Sequence, residues 1–174
     1  RLLLLGSFPP PRKRWSMDFF YPNYTNDMWR IFGLIFFDDK DHFVDIEKKK
    51  FCKDNIEQFL REKAIAVSDT VAVANRLNGN ASDLTLEVVE PLNLAGILDQ
   101  IPRCHTLVTT GQKATDTLLS ITGSPAPEIG GFVDFLYHNR RLRLYRMPST
   151  SRAYPKPLTD KAKIYRTIFQ NFEQ

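Results

Sequence analysis

The sequence predicts an α/β protein of three layers, α/β/α, built around a central, mainly parallel sheet. Three observations predict it. Leu2-Leu3-Leu4-Leu5 is a short unbroken apolar run closed by Gly6 and prolines, the pattern of a strand buried on both faces. Segments with helical spacing alternate with further short apolar runs along the chain. A length of 174 residues, 43% hydrophobic and 25% charged, suits one domain, residues 1–174, with one sizeable core.

Taken in order, the first strand is Leu2–Gly6. Gly6–Asn26 follows as a long loop rich in Pro and aromatics. Loops of that length in compact domains are functional or disordered, and this one is too aromatic for disorder. A helix is expected from Asp27 to Phe36, capped by Asn26, with Met28, Ile31, Phe32 and Ile35 on its core face. A second helix is expected over Ile46–Lys63, burying Phe51, Cys52, Ile56, Phe59 and Leu60. Ala64–Ser68 reads as the second strand, and Ser68–Asn80 as a polar loop beyond it. Asn93 caps a short helix to Gln100. Cys104–Thr110 reads as a strand containing His105, and Gly111–Ile121 as the helix after it. Phe132–Tyr137 and Leu142–Met147 are two strands joined at His138-Asn139-Arg140-Arg141. Thr159 caps the last helix, whose core face is Ala162, Tyr165, Ile168, Phe169 and Phe172. In open sheets of this kind ligands sit beyond the carboxyl ends of the strands. The loops Gly6–Asn26, Ser68–Asn80 and Pro148–Pro157 leave strands at that end.

The formal charge is +4 and unevenly placed. Between His138 and Arg166 there are nine Lys or Arg and one acid, Asp160. Such a segment is suited to phosphates, or equally to a solvated basic face. Cys52 and Cys104 lie far apart and no CxxC occurs, which argues against a disulfide framework or a zinc site. The run Leu2–Leu5 opens the chain abruptly, as if residues preceded Arg1, and is too short for a signal or a membrane span. The expectation is a cytoplasmic monomer away from membranes. Neither GxGxxG nor GxxxxGK[ST] is present, which disfavours a nucleotide-binding α/β enzyme. The missing HxE and PCxxC disfavour a zinc deaminase.

Two segments carry chemistry. The first is Gly6-Ser7-Phe8-Pro9, then Phe19-Phe20-Tyr21-Pro22, then Asn26-Asp27-Met28-Trp29. The second is Met147-Pro148-Ser149-Thr150-Ser151, ahead of a basic amphipathic helix. Between them stands Thr110-Gly111-Gln112-Lys113-Ala114. In this order, and over nearly the whole chain, these segments resemble the motif regions of the uracil-DNA glycosylase superfamily, on the side of its hypoxanthine and mismatch-specific branches.

The resemblance implies a monofunctional DNA glycosylase that flips a deaminated base, uracil or hypoxanthine, out of DNA and hydrolyses its N-glycosidic bond, with no metal or cofactor. It implies Asn26 as the residue that acts on water or base, with Asn23 as the alternative alignment. Asp69, a carboxylate at a strand end, is a second candidate for orienting water. Ser7 and Phe8 would meet the base through the strand end, Phe19 would stack on it, and Tyr21 would line the pocket or pack beneath it. Ser149, Thr150, Ser151, Arg152 and Lys156 would hold the DNA backbone, with Arg152 also a candidate for the space left by the flipped base. Arg12-Lys13-Arg14 would add phosphate contacts. Thr110 stands where the hypoxanthine branch carries Asn. The other reading of the same residues is a relative that binds DNA or a nucleobase without cleaving it.

Overall fold

A computed structural model describes residues 1–77, 82–170 and 172. The central sheet has five strands in the order β4-β1-β7-β9-β8. These are β1 (Leu2–Gly6), β4 (Ile65–Asp69), β7 (Thr106–Thr110), β8 (Phe132–Tyr137) and β9 (Arg140–Met147). The first four in space run parallel, and β8 closes the edge antiparallel to β9. The expected mainly parallel sheet flanked by helices is what forms, mixed through its antiparallel edge strand.

The run Leu2–Leu5 explains the layers. Successive side chains on a strand point to opposite faces. Leu2 and Leu4 join one buried cluster with Met28, Trp29, Phe32, Phe59 and Tyr165. Leu3 and Leu5 join the other with Leu94, Leu98, Leu107 and Leu118. The first face is covered by α1 (Met28–Phe37), α2 (Lys53–Glu62) and α5 (Leu158–Gln170), the second by α3 (Leu94–Gln100) and α4 (Gln112–Thr122).

Several boundaries differ from the sequence reading. The helix expected over Ile46–Lys63 begins only at Lys53. Val44–Asp45 (β2) and Lys50–Phe51 (β3) form a small hairpin before it. Asp45 Oδ1 accepts from Lys48 N at 3.0 Å, and Lys49 turns the chain with φ 50°. Phe51 is therefore buried from a strand, and half-buried Cys52 sits at the helix N-cap instead of on a core face. The polar loop expected over Ser68–Asn80 is instead the end of β4 followed by β5 (Val71–Arg76), which pairs with β6 (Leu86–Pro91) in a second hairpin. Its stretch from residue 78 to Asn80 lies outside the described residues.

The strand read from Cys104 starts at Thr106, leaving Cys104 buried and His105 exposed before it. The β8–β9 turn narrows to His138 and Asn139, both with positive φ, the geometry that two-residue hairpins favour. Thr159 lies inside α5, because Pro157 O already accepts from Asp160 N and Lys161 N. No helix among the described residues is long and apolar enough to cross a membrane.

Candidate active site at the strand ends

Gly6, Asp69, Thr110 and Met147 are the last residues of the four parallel strands, and all four line one cleft of about 1190 Å³. A cleft somewhat larger than ordinary small-molecule pockets has room for a base and part of its backbone. The first motif region supplies its near wall. The loop from Gly6 to Asn26 is ordered by its own hydrogen bonds. Trp15 Nε1 donates to Pro10 O (2.8 Å), Ser16 N and Oγ both donate to Pro22 O (2.8 and 2.7 Å), and Asn26 N donates to Asn23 O (2.8 Å). Trp29, fully buried on α1, donates its Nε1 to Phe20 O at 3.1 Å and so ties the aromatic stretch to the helix.

Within that wall Phe19 leans on Trp29, ring centroids 6.1 Å apart, and meets Phe20 edge-on at 5.3 Å. Tyr21 takes a left-handed φ of 51°, and its hydroxyl lies 2.8 Å from Thr110 Oγ1. Thr110 Oγ1 lies 3.3 Å from Leu5 O, to which it can donate. Tyr21 would then be the donor of the pair. Phe8 lies under the Arg76 guanidinium, 5.9 Å from its centre, and Ser7 Oγ donates to Asp83 Oδ2 at 2.6 Å.

Asn26 Oδ1 accepts from Met28 N at 2.9 Å, so its oxygen performs the capping the sequence foresaw although the helix proper begins two residues on. Its Nδ2 forms no hydrogen bond among the described residues. Asn23, the alternative, spends Oδ1 on Thr25 N and Oγ1, at 3.2 and 3.0 Å.

The second motif region forms the far wall. Gly111, with φ 95°, brings the end of β7 against Ser149: a Cβ there would lie 3.4 Å from Ser149 Cβ. Ser149 Oγ accepts from Ser151 N and Ser151 Oγ from Ala153 N, two successive hydroxyl turns. Thr150 is buried and its carbonyl accepts from Asp27 N at 2.9 Å. The two walls are bolted together by Lys161 of α5, which donates to Asp27 Oδ2 (3.0 Å) and Ser151 O (2.9 Å). Arg152 reaches the other oxygen of Asp27 at 3.5 Å.

No protein-family model and no curated protein matches the chain. Among solved structures it matches the solution NMR structure of a "putative Uracil DNA glycosylase" from Methanosarcina acetivorans, with TM-score 0.62 and 21% identity over 99% of this chain and 91% of that one. The fold is uracil-DNA glycosylase-like. At that identity the likeness is one of architecture.

In this glycosylase-like frame the cleft gathers Asn26, Asp69, Ser7, Phe8, Phe19, Tyr21, Ser149, Thr150, Ser151 and Arg152, and leaves Lys156 outside its lining. Of Arg12-Lys13-Arg14, only Arg14 lines it. The basic segment does not form one patch. Lys161 is fully buried, Arg140 donates to the carbonyls of Leu98, Ile101 and Pro102, and Arg143 pairs with Asp134 at 2.7 Å. The alternation of β9 and the packing of α5 spread its charges to different faces. The cations on the cleft are Arg14, Lys113, Arg146 and Arg152.

Asp69 forms no side-chain hydrogen bond among the described residues. Burial, and secondarily the charge of Asp83, push its carboxyl up to about 7. Burial also raises Asp83, against the opposing pull of Ser7, Arg76 and Lys113. Tyr21 is driven far above the ordinary phenol range by burial, so it stays a neutral hydroxyl. Asp83 was absent from the sequence reading. It comes from the second hairpin, 76 residues from Ser7, and no local spacing marks it.

Proposed function

We propose that this chain is a monofunctional DNA glycosylase that hydrolyses the N-glycosidic bond of a flipped, deaminated base, uracil or hypoxanthine, without a metal or cofactor. One observation carries the reading: the ends of four parallel strands and both motif regions converge on one cleft, with a carboxylate, Asp69, that has no side-chain partner among the described residues, beside the aromatic wall.

The chemistry follows from that placement. An enzyme acting on a base must extract it from the stack and hold it. Phe19, backed by Trp29, gives a flat surface to stack on. Water attacking the sugar carbon loses a proton, and a carboxylate near neutral pKa is matched to accept it. Asn26 offers two amide donors to the water or the base. Ser149, Ser151 and Arg152 hold the opened backbone, because short hydroxyls and a guanidinium match phosphate oxygens.

A second reading is a relative that binds DNA or a nucleobase without cleaving it. It is favoured by the engagement of Asn26 Oδ1 with Met28 N, which occupies one of the two acceptor sites of that oxygen and ties the side chain to the helix start. Alkali treatment of oligonucleotides carrying one uracil, hypoxanthine or xanthine separates the two. Alkali breaks the strand only at an abasic site. A product band establishes the enzyme and its base, and no band from folded, DNA-binding protein establishes the binder.

A further inference from the structure

Trp15 is half-buried and lines the cleft, yet it packs into neither of the two buried clusters. It is nevertheless held firmly. Its Nε1 donates to Pro10 O at 2.8 Å, its N donates to Arg12 O at 3.0 Å, and its backbone bridges antiparallel to Asn23. The Arg12 guanidinium lies over the indole, 5.0 Å from the ring centroid, while Arg12 itself stays outside the cleft lining. The ring is thus backed by a cation away from the cleft and turns part of its surface towards it. Arg12, Lys13 and Arg14 are consecutive on a short 3-10 turn and all three are exposed. None of them takes part in an ion pair among the described residues. The whole loop from Ser7 to Asn26 has one acid, Asp18.

We propose that Trp15 is a second stacking site, which takes an unpaired base flanking the lesion in single-stranded DNA while Arg12, Lys13 and Arg14 hold the phosphates beside it. The inference rests on the DNA binding that both readings above share, and adds a strand preference to it. An aromatic ring beside a row of free cations is the arrangement that holds single strands, because every base has a face to stack and every nucleotide a phosphate. A guanidinium over the far face of the indole adds to such a platform. Phe19, backed by Trp29, is a separate surface four residues further along the loop and serves the lesion base. In a duplex the flanking base stays stacked between its neighbours and has no face to offer. Trp15 therefore gains a contact only from an unpaired strand.

The test uses the intrinsic fluorescence of the protein, which has two tryptophans. Trp29 is fully buried and out of a ligand's reach, so quenching by a stacked base reports Trp15. The probe is oligothymidylate about twelve nucleotides long, set against a mixed-sequence duplex of equal length and against inorganic polyphosphate, which has charge without bases. Oligothymidylate should quench the emission, and polyphosphate should not. Trp15→Leu should abolish the quenching and weaken oligothymidylate binding about tenfold, while duplex affinity stays within about twofold. Trp15→Phe, which restores a ring, should regain most of the affinity. An unshifted Trp29 emission shows that a variant is folded. Should Trp15→Leu unfold, quenching of the unaltered protein by oligothymidylate and not by polyphosphate decides alone. Equal quenching by polyphosphate, no quenching at all, or equal losses of single-strand and duplex binding in Trp15→Leu overturn the assignment. The probe has no lesion, so excision does not enter the result. A protein that excises a base but shows no such quenching keeps the glycosylase reading and loses the stacking site. One that is quenched and excises nothing does the reverse.

Discussion

Lys161 and Asp27 form a buried ion pair, 3.0 Å from Nζ to Oδ2, with the lysine wholly enclosed. It joins α5 to the start of α1, and through Ser151 O it also fixes the loop after β9. Removing Lys161 leaves the buried carboxylate only the longer contact to the exposed Arg152, at 3.5 Å. Lys161→Met should therefore destabilise the fold by about 3–5 kcal/mol. Asp27→Asn added to it should recover part of that loss. Urea unfolding of the two single variants and the double variant reads the coupling, and purely additive losses would deny it.

Gly6 and Asp69 face each other across β1 and β4. A Cβ on Gly6 would lie 2.7 Å from Asp69 Oδ1 and 3.1 Å from the Tyr21 hydroxyl oxygen. Gly6→Ala should therefore cost about 1–3 kcal/mol and disturb the carboxylate. Asp69→Ala should relieve much of that cost in the double variant, as thermal unfolding would show.

The raised Asp69 pKa has a sign in stability as well as in rate. The folded protein holds this proton up to about pH 7, whereas the unfolded chain releases it near 3.8, as an ordinary aspartate does. The stabilising effect of protonation is full below the unfolded value and lost as pH rises through about 7. Asp69→Asn should thus gain roughly 2–4 kcal/mol at pH 8 and little at pH 3.5, seen as a Tm difference that opens with pH. If the carboxylate is the base, activity should rise with pH through about 7, and Asp69→Asn should remove that limb.

Asn26 has two separable functions. Asn26→Ser keeps an oxygen for Met28 N and removes the amide donors, while Asn26→Ala removes both. Both variants should lose about 100-fold or more in glycosylase rate. Only Asn26→Ala should also lose about 1 kcal/mol of stability. Full activity in Asn26→Ala would refute the assigned role.

Binding to DNA should weaken with salt as phosphate contacts release counterions. The slope of log K against log salt should flatten by about one in Arg152→Ala, which removes one cleft cation.

The buried strand Leu2–Leu5, the alternation of helices and strands, and the motif order were legible because each is a local pattern. Apolar spacing reports which faces are buried, and Gly6, Gly111 and Pro148 punctuate the chain where strands end. The hairpin β5–β6 was not legible. Seven of its twelve strand positions are exposed, so the apolar run Val71–Ala74 is not a buried one, Leu86–Pro91 carries no such run, and their pairing is a contact between separate segments. The start of α2 was misplaced because Phe51 serves a strand as well as it would serve a helix. Asp83 beside Ser7 and Lys161 between Asp27 and Ser151 both depend on segments distant in the chain. Such neighbours exist only once the sheet has brought its strand ends together, since no spacing along one segment encodes which other segment it will meet.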